Sequence, residues 1–207
     1  MDKDKDEALS YFPNDDWYDF FTGTYQYKYS PTSSIGTYNL VKSPIDSGII
    51  NLHIKGGSII PVQEVTENTL TTYDLKIIKT DLKITVSTIP SKNSLGKLYY
   101  DDGISLDSLK EKSKHALITL SYSPSSMVLA ISQDGSYRTT DQEMLIGSLK
   151  FMHPGTLKDV KCGRMYDSAG KDTNVTFKAS STGDNLLTIT VNADILKYGS
   201  MKLNDRC

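Results

Sequence analysis

The sequence predicts an all-β protein made of two consecutive antiparallel β-sandwiches. Short apolar, β-branched or aromatic runs recur roughly every 8 to 14 residues, which is strand spacing for sandwiches rather than for βαβ units. Turn-forming pairs separate the runs, among them Ser30-Pro31, Ser47-Gly48, Asp102-Gly103, Ser123-Pro124, Asp134-Gly135 and Thr182-Gly183. The clearest run, 49–55, alternates Leu52 and Ile54 with Asn51, His53 and Lys55, the period of two of a half-buried strand.

Taken in order, residues 1–9 read as a charged, solvated lead-in. Strands are then expected at 25–29, 37–41, 49–55, 58–62, 74–78, 82–88, 97–100, 116–122, 127–132, 145–152, 175–179 and 186–191. Gly56-Gly57 allows positive φ or a close backbone approach, so the chain makes a hairpin or a tight corner between 49–55 and 58–62. A polar, proline-containing stretch at 89–94 marks a boundary, giving sandwiches at 1–90 and 91–207. Residues 107–115, DSLKEKSKH, have helix-forming composition but are read as a loop with at most one helical turn.

Hydrophobic residues make up 38% of the chain and charged residues 23%, enough to bury a core. A net charge of -2 and a pI near 5.9 provide no basic face for nucleic acid. No run approaches the roughly 18 apolar residues of a membrane span. The N-terminus, MDKDKDEALS, is charged where a signal peptide is apolar. Cys162 and Cys207 would close a loop of about 45 residues, worth about 3–4 kcal/mol if they pair; two free thiols are the alternative. Asn174-Val175-Thr176 is an N-glycosylation sequon and favours a secretory compartment.

Several constellations invite a chemical reading. Asp15, Asp16 and Asp19 surround Trp17 and Tyr18, as a carboxylate pair beside a sugar platform would, but aspartates in such a run cap turns. Asp101, Asp102 and Asp107 suggest calcium, yet the spacing completes no EF-hand loop, and Asp-Asp-Gly ends strands. His53, His115 and His153 are scattered, without zinc-site or triad spacing. Tyr25, Tyr27 and Tyr29 share one strand phase and read as packing in preference to a sugar-stacking stripe. No metal, cofactor or catalytic residue is assigned.

Four segments in order resemble glycoside hydrolase family 31, the α-glucosidase family. Residues 11–23, YFPNDDWYDFFTG, are similar to its Y-F-P-x-x-x-W-Y-D-x-x-T-G block, and residues 43–46, SPID, to its A-P-L-D run. Residues 51–64, NLHIKGGSIIPVQE, resemble its N-L-H-[VI]-[RK]-G-G-x-I-[IL]-P-x-Q-E element. Residues 96–107, GKLYYDDGISLD, resemble G-x-L-[YFW]-x-D-D-G-x-[ST]-x-D. The resemblance implies the two β-sandwiches, proximal and distal, that follow the family's catalytic (β/α)₈ barrel. Trp17 is the only tryptophan, so the nucleophile block resembling W-x-D-M-N-E is absent, and a barrel needs about 250 residues.

The residues carried over are structural: Trp17, Tyr18, Gly56, Gly57, Pro61, Asp101, Asp102 and Gly103. The resemblance implies a region that buttresses the barrel of a retaining α-glucosidase and is itself inactive. The alternative is a stand-alone carbohydrate-binding or interaction sandwich. Six aromatics within 11–21 cannot all face one core, so Phe12, Trp17 or Phe20 is expected to be partly exposed.

Overall fold

The computed structural model describes residues 7–29, 40–44, 48, 50–63, 65–71, 82–89, 92–137, 145–152, 160–182, 186–195 and 197–204. Among these are fifteen strands and one 3₁₀ turn, as the all-β reading requires. The expected strand 74–78, His153, Cys207 and residues 90 and 91 of the expected boundary lie outside them. Packing groups the chain into two compact units, Met1–Gly56 and Gly57–Cys207.

In the first unit, β1 (Glu7–Tyr11) pairs antiparallel with β4 (Leu40–Pro44). A second sheet places β2 (Trp17–Asp19) between β3 (Tyr25–Tyr27) and β5 (His53–Lys55). The lead-in reading is corrected here, because residues 7–9 begin β1, with Leu9 opposite Lys42. Backbone pairing to a partner strand needs no apolar alternation, so a charged sequence conceals such a strand. Phe12, Tyr18 and Ile54 are the buried apolar centre of this unit.

The second unit contains β6 (Ile59–Gln63), β7 (Leu82–Ser87), β8 (Ser94–Asp101), β9 (His115–Ser123), β10 (Val128–Asp134) and β11 (Leu145–Met152). It continues with β12 (Cys162–Tyr166), β13 (Asp172–Thr182), β14 (Leu186–Asp194) and β15 (Ser200–Asn204). The strand order is β6-β7-β11-β14-β13-β12-β15-β10-β9-β8. Among the described residues its strands pair antiparallel, except β7 with β11. The long β13 joins two halves: its first part pairs with β12 and its last part, from Ala179 on and with a register shift before Ser181, pairs with β14. β6 and β7, which the sequence places before the boundary near residue 90, pair within this sheet.

Side-chain alternation explains the packing. On β9, Ala116, Ile118, Leu120 and Tyr122 point inward while the residues between them are half-exposed. Ile84, Val86, Leu149, Phe151, Leu187, Ile189, Met201 and Leu203 join the same core. The Tyr122 ring meets Phe151 edge-on at 5.1 Å. Each fully buried side chain of this size contributes about 1.5–3 kcal/mol. The end strands of the order also approach each other, with Ser58 bridged to Leu95. The sheet therefore folds back on itself around one core. Pro61 lies on β6, an end strand, where a residue without an N–H leaves no ladder bond unmade.

Candidate functional site

Of the residues that resemble the family motifs, Trp17, Tyr18 and Gly56 lie in the first unit, and Gly57, Pro61 and the Asp101–Gly103 corner in the second. Trp17 pairs with Tyr27 on one side and Lys55 on the other, and its Nε1 donates to the Pro13 carbonyl at 3.0 Å. Phe12 packs edge-on against Trp17 at 5.4 Å and against the His53 ring at 4.9 Å. Tyr18 is fully buried against the Tyr25 ring at 4.6 Å, and burial followed by its hydrogen bond to Tyr25 pushes its hydroxyl far above the ordinary value. Partial exposure holds for Trp17 and Phe20 but not for Phe12, which is 5% exposed, because Trp17 and His53 cover it.

The three nearby carboxylates have separate duties. Asp15 pairs with Lys55 at 2.8 Å. Asp16 is buried and accepts from the Tyr29 amide at 2.9 Å. Asp19 accepts from the Phe21 amide, the Thr22 amide and the Thr22 hydroxyl. Burial pushes the Asp19 carboxyl up, but the Thr22 and Phe21 bonds and the charge of His53 outweigh it and hold the group below its usual range. Burial holds the His53 imidazole below its ordinary value, partly offset by Asp19. Only Asp19 caps a turn, as expected; Asp15 is tied to Lys55 by an ion pair, and Asp16 is buried and bound to the distant Tyr29 amide. The tyrosines form no stripe: Tyr25 packs on Tyr18, Tyr27 donates to Asn14, and Tyr29 lies beyond β3 and is exposed.

The glycine pair forms a corner. β5 pairs with β2 and β6 with β7, so the runs on either side of Gly56-Gly57 do not pair with each other. The Gly56 amide donates to the Asp16 carbonyl at 2.7 Å. Gly57 has φ +80, where a Cβ would be strained, and its amide donates to Ser87.

The Asp-Asp-Gly corner is built from its own bonds. Asp101 accepts from the Gly103 amide at 2.8 Å and the Ser108 hydroxyl at 3.1 Å. Asp102 accepts from the Ile104 and Ser105 amides and from the Ser105 hydroxyl at 2.6 Å. The Ser105 hydroxyl and amide and then the Ile104 amide hold the Asp102 carboxyl down at about 2. Residues 108–110 make one 3₁₀ turn, as the loop reading expects. Sequence reasoning missed the post beneath it: buried His115 contacts the Ser108 and Glu111 carbonyls through Nδ1 and stacks on Tyr99, whose hydroxyl bonds Ser108. His115 is buried although it stands on the opposite phase of β9 from Ala116 and Ile118, so strand periodicity gives no signal for it. Among the described residues no group of three or more His, Cys, Asp or Glu is arranged to hold a metal ion.

The profile described as the glycosyl hydrolase family 31 C-terminal domain matches residues 1–60. Over those residues the chain resembles the C-terminal region of glycoside hydrolase family 31. The rat intestinal sucrase-isomaltase is 28% identical over 159 residues, which is 77% of this chain and 8% of that protein. The human probable maltase-glucoamylase 2 is 34% identical over 101 residues, 49% of this chain and 4% of that one. An Aspergillus flavus probable alpha/beta-glucosidase is 36% identical over 111 residues, 54% of this chain and 11% of that one. The chain thus spans a small part of the length of its relatives. A glucosidase II alpha subunit matches 98% of this chain and 22% of its own with a TM-score of 0.73 at 15% identity, a likeness of fold. The chain is β-rich and resembles the C-terminal part of such glycosidases.

Proposed function

We propose that this region buttresses the catalytic barrel of a family 31 α-glucosidase, with the parent activity being retaining hydrolysis of terminal α-glucosidic bonds. One observation carries the reading. Within Met1–Gly56, Leu9, Tyr11, Phe21 and Ile50 are 63%, 61%, 52% and 83% exposed, and Leu52 joins them. Large apolar side chains exposed at this density on one small unit support the reading that another protein surface covers them. The two-part division, proximal then distal, belongs to the same reading, as do Trp17, Tyr18, Gly56, Gly57, Pro61 and the Asp101–Gly103 corner as its structural residues.

The test is to mix the chain with a family 31 catalytic barrel expressed without its own C-terminal region. The barrel should gain a higher melting midpoint, and Tyr11→Ser with Phe21→Ser should abolish the gain. A barrel indifferent to the wild-type chain overturns the reading.

A Cys162–Cys207 pair is part of the proposal. It is supported by Cys162 being disulfide-bonded and lying opposite Asn204, three residues before Cys207. Three residues of chain reach about 10 Å, ample for the link. Alkylation without reductant should leave both thiols unlabelled. Asn174 lies on β13, and its glycosylation is proposed with a secretory compartment; a mass increase on expression in a secretory host checks it.

A further inference from the structure

We propose that a cleft in the second unit binds a neutral sugar residue, such as the end of a glucan chain. The cleft, of about 510 Å³, lies between β10, the β12–β13 turn and the β14–β15 connection. That volume falls within the roughly 300–1,000 Å³ of small-molecule sites. Its residues come from three distant segments of sequence, so no local pattern announces it.

The walls are held before any ligand arrives. Asp167 Oδ1 accepts from the Ala169 and Lys171 amides, both at 2.9 Å, and the Gly170 amide closes the turn onto the Asp167 carbonyl. The Gly199 amide donates to Tyr166, and the Ile131 amide donates to Gly199 at 2.7 Å, fastening the connection to both neighbouring strands. A Cβ on Gly199 would lie 2.7 Å from the Asp167 carbonyl, so glycine is what lets the two walls approach. Preformed walls reduce the ordering cost of binding.

The chemistry selects the ligand. Tyr198 is half-buried, packed against the core and backed by buried Ile131 and Ile195, and it offers an apolar floor for the C–H face of a pyranose. Ser132, Gln133, Asp167, Lys197 and Ser200 also line the cleft, residues that carry hydroxyl, amide, carboxylate and ammonium groups. Gln133 is oriented by its Nε2 donating to the Gly135 carbonyl at 2.8 Å. Mixed donors and acceptors suit hydroxyls, each of which must find a partner when it leaves water. A phosphate or other anion is disfavoured, because the single lysine pairs with Asp194 at 3.8 Å and a carboxylate shares the wall. A divalent cation is disfavoured by the lone carboxylate.

Titration of the isotopically labelled full chain with methyl α-D-glucopyranoside and with maltotriose, followed by amide shifts, tests the site. Saturable shifts are expected at 131–133, 167–170 and 197–200, with dissociation constants on the order of 1–10 mM. Gln133→Ala combined with Asp167→Asn should weaken binding at least about tenfold while the melting midpoint stays near wild type, since asparagine keeps the Oδ1 acceptor that holds the turn. No saturable shift at about 50 mM of either sugar overturns the proposal. So does saturation by inorganic phosphate or calcium alone, or sugar binding that the double variant leaves intact. The cleft uses no residue of Met1–Gly56, so its failure leaves the buttress reading standing.

Discussion

A Cβ built on Gly96 would lie 2.1 Å from the Ile59 carbonyl oxygen, a main-chain atom that cannot rotate away. Gly96 sits beside the Ser58–Leu95 bridge where the end strands of the second unit meet, which explains why the motif GKLYYDDG opens with glycine. Gly96→Ala should therefore destabilise by about 1–3 kcal/mol through overpacking, read as a lower urea midpoint at unchanged slope. An unshifted midpoint would refute the close approach. His53 bears on the other unit. Burial lowers its native pKa below the ordinary 6.5, so in the window just below 6.5 the unfolded chain binds the proton first. Stability contributed by neutral His53 is full above pH 6.5 and is lost as pH falls through the depressed native value. Wild type should thus lose more stability than His53→Phe between pH 7.5 and 5.5. Asp19 adds little there, since its own window lies below the ordinary carboxylate value of 3.8.

At the scale of elements, legibility tracked how much a strand depends on its own side chains. β11 occupies the expected 145–152, because LIGSLKFM carries enough apolar residues to identify itself. β2 and β12 escaped notice: three to five residues such as WYD or CGRMY are too short for a period to stand out. β15 was legible in principle, since Met201 and Leu203 alternate with polar neighbours and are buried. β13 runs from Asp172 to Thr182, past the expected 175–179, because polar residues continue a ladder that their neighbours complete. The Asp-Asp-Gly corner was recognised as a turn, but its support by His115 was not, since the contact joins groups seven residues apart across a loop. Asp102→Ala should speed amide exchange at Ile104 and Ser105, whose amides it accepts. With the native carboxyl at about 2, protection in the wild type is present above the ordinary value of 3.8 and fades only as pH falls toward 2. Equal exchange in the variant would show that the corner holds without Asp102.

For the whole molecule, the resemblance to family 31 was readable from four short motifs, several of whose residues hold local geometry in this chain. Gly57 stands at φ +80, Pro61 on an end strand and Asp102 under two amides. The cleft was not readable, because only folding brings Ser132, Asp167 and Tyr198 to one place. Those motifs also say where the chain should be sticky. Leu9, Tyr11, Phe21 and Ile50 keep more than half their surface in water, and Tyr11 and Phe21 belong to the segment 11–23 that resembles the family block. Leaving such side chains wet forgoes about 25 cal/mol for each Å² that a partner could cover. In the absence of a barrel, the nearest available apolar surface is a second copy. The chain alone should therefore self-associate with rising concentration, measured by sedimentation velocity, and brighten a hydrophobic dye in proportion. Tyr11→Ser with Phe21→Ser should shift the equilibrium toward monomer without lowering the melting midpoint, because neither side chain belongs to the buried centre of Phe12, Tyr18 and Ile54. A strictly monomeric wild type at high concentration, with no dye response, would count against a covered surface and favour a self-sufficient module.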